Sequence, residues 1–137
     1  MDKTAVVIME KNKDTGFLEK ELGSYSVNHD MNHIDKIYAM EEDGEIIVNL
    51  HLTVAGDFED WEFNAILDNY ALELYDNVAV SIEEDEEGYN PTWHLKFKFE
   101  ANDSDVERKL NGIMDIHDRE LKRVLEAIKD LESEYKS

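Results

Sequence analysis

The sequence predicts an α+β fold, with a mainly antiparallel sheet of about six strands in the order ββββ-α-ββ-α and both helices packed on one face. Three observations carry this. From Glu45 to Val54 the chain alternates strictly: Ile46, Val48, Leu50, Leu52 and Val54 share one side, while Ile47, Asn49, His51 and Thr53 share the other. That is a strand with one buried and one wetter face. Turn residues separate the alternating runs, most plainly Asp43-Gly44, a two-residue hairpin signal. From Asp103 onward the period changes to that of a long amphipathic helix.

The elements follow in order. Thr4 to Lys11 reads as a strand, with Val6 and Ile8 opposite Ala5, Val7 and Met9. Asn12 to Gly16 is a hairpin loop ending in a glycine suited to a left-handed position. Phe17 to Leu22 returns, Gly23 suggests a bulge, and Tyr25 and Val27 continue the strand. A polar loop over Asn28 to Asn32 precedes a third strand from Ile34 to Glu41, and the fourth follows Asp43-Gly44. Asp57 can cap a helix that carries Phe63, Ile66, Leu67, Tyr70, Ala71 and Leu74 and ends at Asp76-Asn77. Val78, Val80 and Ile82 mark a fifth strand. Beyond an acidic connection, Trp93, Leu95, Phe97 and Phe99 form the core face of a sixth, opposite His94, Lys96, Lys98 and Glu100.

The last helix is expected over 104–135. Ser104 and Glu107 have the spacing of a capping box. Apolar positions recur at Leu110, Met114, His117, Leu121, Val124, Ile128, Leu131 and Tyr135, in steps of four and three. A helix of that length is roughly 45 Å long, against about 25 Å for six strands side by side. Leu121, Val124, Ile128, Leu131 and Tyr135 are therefore expected to overhang and to form a homodimer seam through the C-terminal helix. The alternative is a break at Gly112 that lets both halves pack on the sheet. His117, on the apolar face, reads as a hydrogen-bonded core histidine.

The 137 residues fit one domain, 1–137, with a core that needs no staples. The absence of cysteine excludes disulfides and thiolate chemistry. Met1 to Met9 does not read as a secretory signal and no stretch reaches membrane-span length, so the cytoplasm is the expected compartment. Asn102-Asp103-Ser104 matches a glycosylation pattern but reads as loop and cap. The net charge is −20, and it is unevenly spread. The 59 residues between Lys36 and Lys96 contain no Lys or Arg and hold 16 acids, whereas from Asp103 onward 10 acids face 7 bases. Such a surface repels nucleic acid and anionic membranes, whose recognition depends on Lys and Arg. It suits a basic or amphipathic protein partner, a divalent cation, or water alone.

Several constellations could carry function. Trp61 and Phe58 lie among Glu59, Asp60 and Glu62 at a helix start, where they either anchor a partner or point into the core. Glu84, Asp85 and Glu86 belong to an acidic run that reads as a solvated loop or a partner surface and lacks calcium-loop spacing. His29 and His33 are four apart but in a loop, so metal-binding geometry is not enforced. His51 and His94 fall on polar strand faces and meet only if their strands are neighbours. No cofactor motif, phosphate loop, nucleophile elbow or triad pattern appears.

In element order, size and charge the chain resembles the small, acidic, dimeric chaperones of bacterial secretion systems. Their usual N-terminal helix has no counterpart here, and no motif residue is shared. The resemblance implies a dimeric, partner-binding protein. The functional expectation is a non-enzymatic interaction domain, chaperone-, inhibitor- or decoy-like, that presents Glu59, Asp60, Trp61, Glu62, Glu84, Asp85 and Glu86 to a basic or amphipathic protein. The alternative is a divalent-metal or small-ligand domain using His29, His33, His51 or His94. An acid/base enzyme is the second alternative.

Overall fold

The computed structural model describes residues 4–85 and 88–136. Strand β1 (Thr4–Lys11) pairs antiparallel with β2 (Leu18–Val27) through the Asn12 loop, where the Asn12 side chain accepts from the Asp14 and Thr15 N–H groups and Gly16 takes φ +78°. Ile8 faces Gly23 but Met9 faces Glu21, so Leu22 is the extra residue of a bulge. Strands β3 (Ile34–Glu42) and β4 (Glu45–Thr53) join through Asp43 and Gly44, both at positive φ, as the two-residue turn requires. Strand β6 (Thr92–Lys98) lies against the other side of β4, and β5 (Ser81–Asp85) closes the sheet. The order is β2-β1-β3-β4-β6-β5.

The sheet is α+β as expected and mostly antiparallel, with one parallel pair, β1 with β3. That pairing forces the six residues between β2 and β3 to step over β1, because β2 ends where β1 begins. A short 3-10 turn at Met31–His33 makes the step, started by Asp30, whose carboxylate accepts from the Asn32 N–H at 2.9 Å.

Helix α1 (Asp60–Asn69) and helix α2 (Asp103–Ala127) pack on one face of the sheet. Val6, Ile8, Tyr25, Val27, Ala39, Val48, Leu50, Leu52, Trp93, Leu95 and Phe97 supply the sheet's half of the core. Val106, Leu110, Ile113, Met114, Leu121 and Val124 supply the half from α2. The other face carries Tyr38, Met40, Ile47, Asn49, His51, His94 and Lys96, on the opposite side of the pleat.

Four local expectations are corrected. Helix α1 is capped by Glu59 rather than Asp57, with Glu62 Oε1 accepting from the Glu59 N–H at 2.9 Å. It ends at Asn69, because Tyr70 is extended, and Leu72–Tyr75 forms a separate 3-10 turn. Helix α2 is capped by Asn102, whose side chain accepts from the Ser104 N–H at 2.8 Å, so Glu107 is free to accept from Ser26. Strand β5 starts at Ser81, although the Val80 N–H already bonds the Lys96 carbonyl at 2.7 Å.

The fifth correction concerns the C-terminal seam. The chain does not run as one helix to residue 135. Helix α2 passes through Gly112 without a break and ends at Ala127, and a 3-10 turn at Ile128–Asp130 leads to a short helix α3 (Glu132–Lys136). The turn folds the end of the chain back beside α1, where Tyr135 Oη donates to Asp68 at 2.8 Å. Leu121, Val124 and Ile128 are at most 3% exposed within a single chain, and Leu131 and Tyr135 are partly buried against the same core. The overhang that would have made a homodimer seam is not formed.

Two stability outcomes follow. A Cβ added at Gly112 meets nothing within 4 Å. Gly112→Ala is expected to stabilise the chain by about 0.5–1 kcal/mol in a urea melt, and a loss of stability would show hidden crowding on that face. Leu121→Asp with Ile128→Asp is expected to abolish the cooperative melt, because both side chains are core. A folded variant would return the seam to the surface.

Candidate functional site

Two acidic runs distant in sequence lie on connected loops. The Asn90 amide donates to the carbonyl oxygens of Val54 at 2.7 Å and Gly56 at 3.0 Å, and Thr53 Oγ1 donates to the Pro91 carbonyl at 2.9 Å. The segment after β5 is thereby tied to the segment that leads into α1. Glu84 and Asp85 stand at the end of β5, and Glu59, Asp60 and Glu62 stand at the start of α1. Glu86 lies outside the described residues.

A cleft of about 360 Å³ opens beside the start of α1, lined by Glu59, Asp60, Trp61, Asn64, Tyr135 and Lys136. The Trp61 indole N–H donates to Glu59 Oε2 at 3.1 Å, and the Trp61 and Tyr135 rings lie 6.5 Å apart. Trp61 is neither fully core nor fully exposed: part of its ring packs on the core and part lines the cleft. Lys136 Nζ sits 3.6 Å from Glu59 Oε1 and 3.0 Å from Glu132 Oε1. A lysine of the chain itself thus occupies an acidic, aromatic cleft.

The uncovered sheet face holds a second arrangement. His51 and His94 are direct cross-strand partners on β4 and β6. Their rings stack at 4.1 Å, and Tyr38 stacks on the far side of His51 at 5.9 Å. His94 Nε2 donates to Asn49 Oδ1 at 2.7 Å, and the Asn49 amide donates to the Ile47 carbonyl. Lys96 pairs with Glu42 at 3.1 Å, and Lys11 Nζ lies 4.4 Å from the Tyr38 ring centre. His51 is only 6% exposed, and among the described residues neither ring nitrogen has a hydrogen-bond partner. Burial, then repulsion by His94 and Lys36, lowers its pKa to about 4. Nitrogen lone pairs lie in the ring plane, so two stacked imidazoles direct them side by side rather than at one ion.

His29 and His33 meet carboxylates of α2. His29 Nδ1 lies 2.6 Å from Asp118 Oδ2 and its Nε2 lies 2.8 Å from Asp115 Oδ1, while His33 Nδ1 lies 2.8 Å from Asp118 Oδ1. The cluster pins the step over β1 to α2. Among the described residues no group of three or more His, Asp or Glu is arranged to hold a metal ion. His29 and His33 form a clasp onto α2, and His51 and His94 form a stack.

His117 is fully buried under α2. A carbonyl only accepts, so Nε2–H donates to the Thr53 carbonyl at 2.8 Å. Nδ1 then accepts from Tyr70 Oη at 2.7 Å, and Tyr75 Oη, 2.5 Å from Tyr70 Oη, completes the chain. Burial lowers the His117 pKa to about 4, against the opposing pull of the Thr53 carbonyl. Nearby, the Glu120 carboxylate accepts from the Ala71 N–H at 2.7 Å and pairs with Arg123. Burial pushes its pKa up, but those two partners more than offset this and hold it below the usual carboxylate range. These groups support the core.

The family of unknown function DUF6762 matches residues 1–136. The chain belongs to this family. No curated protein and no solved structure matches it. No helix among the described residues is long and apolar enough to cross a membrane.

Sequence reasoning missed Asp115, Asp118, Tyr38, Asn49 and Lys136. Each is an ordinary polar residue in its own segment and gains its role only from a partner on another element. Asn90, too, looked like a plain loop residue.

The lowered pKa values of His51, His94 and His117 set an acid response. A base whose folded pKa lies below the unfolded value of about 6.5 binds its proton more readily in the unfolded chain, so its stability contribution is complete above that pH and declines as pH falls toward 4. Between pH 7 and pH 5, His117 alone is expected to remove about 2 kcal/mol. Urea melts at the two pH values measure it, and His117→Gln is expected to make the decline shallower. An undiminished decline in that variant would place the acid response elsewhere.

Proposed function

We propose that the chain is a non-enzymatic protein-interaction domain of the cytoplasm that receives a basic or amphipathic protein on its acidic surface. The observation that carries the reading is Lys136 in the cleft of Glu59, Asp60, Trp61 and Tyr135. The cleft offers carboxylates to an ammonium group and aromatic faces to its aliphatic stem, which is how an incoming lysine or arginine is received. The link through Asn90 adds the end of β5 to the same surface. The charge of the whole chain favours encounter with a basic partner and opposes nucleic acid. A dimer through α2 has no place in the reading, since that seam is core.

Titration with an oligolysine peptide, followed by tryptophan fluorescence, tests it. Trp93 is fully buried, so a change on binding reports Trp61. Binding is expected at low salt and to weaken about tenfold or more at high salt. Glu59→Gln with Asp60→Asn is expected to weaken it by a similar factor of about ten. Lys136→Ala, which removes the internal occupant, is expected to tighten it about two- to fivefold. Tightening absent in that variant, with binding insensitive to Glu59 and Asp60, would defeat the reading.

A further inference from the structure

We propose that the outer edge of β5 accepts an extended segment of the basic partner as a seventh strand. The inference rests on the acidic-surface reading and specifies the form of the partner. The sheet has two edges, β2 and β5, and they differ in kind. The β2 edge is bulged at Leu22 and held by α2 at its Ser26 end: the Ser26 N–H donates to Glu107 Oε1 at 2.5 Å, the Asn28 N–H donates to Asn111 Oδ1 at 3.1 Å, and Asn111 Nδ2 donates to the Ser26 carbonyl at 2.9 Å. Strand β5 is the outermost strand at the other side, and a groove of about 420 Å³ runs beside its start, between it and the 3-10 turn at Leu72–Tyr75.

The groove dictates what an added strand must look like. Val80 and Ile82 lie on the helix side of β5, with Leu72 and Tyr75 across the groove. Val80 is 60% exposed, so apolar surface is available there. Ser81 and Glu83 lie on the opposite side, Glu83 directly across from His94. An incoming strand alternates its side chains between these two sides. It therefore carries apolar residues at every second position, toward Val80 and Ile82, and basic residues between them, toward Glu83. Glu73 and Asp76 at the groove wall add to the same preference. Acids on an edge strand repel a second copy of this acidic chain, which prevents edge-to-edge aggregation, while a lysine-rich strand meets attraction. Backbone hydrogen bonds supply affinity and the alternate pockets supply selectivity.

The test uses the full chain and two blocked heptapeptides of one composition. One alternates lysine and valine, and the other carries its lysines and valines in blocks. The alternating peptide is expected to bind about tenfold more tightly, to shift the amide resonances of Ser81–Asp85 and to slow their hydrogen exchange. Val80→Lys with Glu83→Lys, both exposed positions, is expected to cut the affinity of the alternating peptide about tenfold while changing that of the block-patterned peptide less than about twofold. Equal binding of both peptides, with shifts confined to the start of α1, would overturn the edge inference and leave the acidic-surface reading standing. Binding of neither peptide would overturn both.

Discussion

The docking of α2 across one face of the sheet is the constraint on which the rest of the structure depends. Val106, Leu110, Ile113, Met114, Leu121 and Val124 descend onto β1, β2, β4 and β6, and each is nearly or wholly removed from water. At about 25 cal/mol per Å² this burial is the largest favourable term available to the chain. The helix also disposes of polar groups that the sheet leaves open. Glu107 and Asn111 hold the last residues of the β2 edge, Asp115 and Asp118 hold the histidines of the step over β1, and His117 bonds the carbonyl of Thr53 at the end of β4. One face of a single helix thus fixes the core, one edge and the one parallel pairing.

Once that face is spent, the remaining chemistry lies elsewhere. Part of the acidic charge lies on α1, on the 3-10 turn after it and on β5. These elements sit at the side of the sheet that α2 does not close. The asymmetry has a physical source. An edge must be covered, broken or charged to keep the protein from pairing with other chains. The β2 edge is covered at its Ser26 end and broken at Leu22, and the β5 edge carries acids. A charged guard excludes acidic or neutral strands and does not exclude basic ones.

Much of this was legible in the chain. Period-two alternation marked β1, β4 and β6, and the positive-φ turn at Asp43 and Gly44 was written in its residue types. On the buried face of α2, Leu110, Met114, His117, Leu121 and Val124 were read from the period, while Val106 and Glu120 were not. The caps were misplaced because Asn102 and Ser104 are equally good local caps and Asp57 is a better local cap than Glu59, so only the path of the preceding loop decides. The C-terminal overhang was misread for a related reason. An apolar seam shows that a partner surface exists, but not whether that surface belongs to α1 of the same chain or to another copy. The histidine pairs were visible as residues, yet nothing near them in sequence named Asp115, Asp118 or Tyr38.

The sequence by itself determined the fold class, the strand and helix faces, the uneven charge and the absence of cysteine chemistry, because these depend on local period and composition. Tertiary structure alone decided that β1 pairs parallel with β3, that the chain turns at Ile128 to seat Tyr135 beside Trp61, that Lys136 lies in the acidic cleft, and that β5 ends the sheet. Each of these joins residues tens of positions apart. Such contacts are chosen by how whole faces bury against one another, and that choice leaves no mark in any one segment.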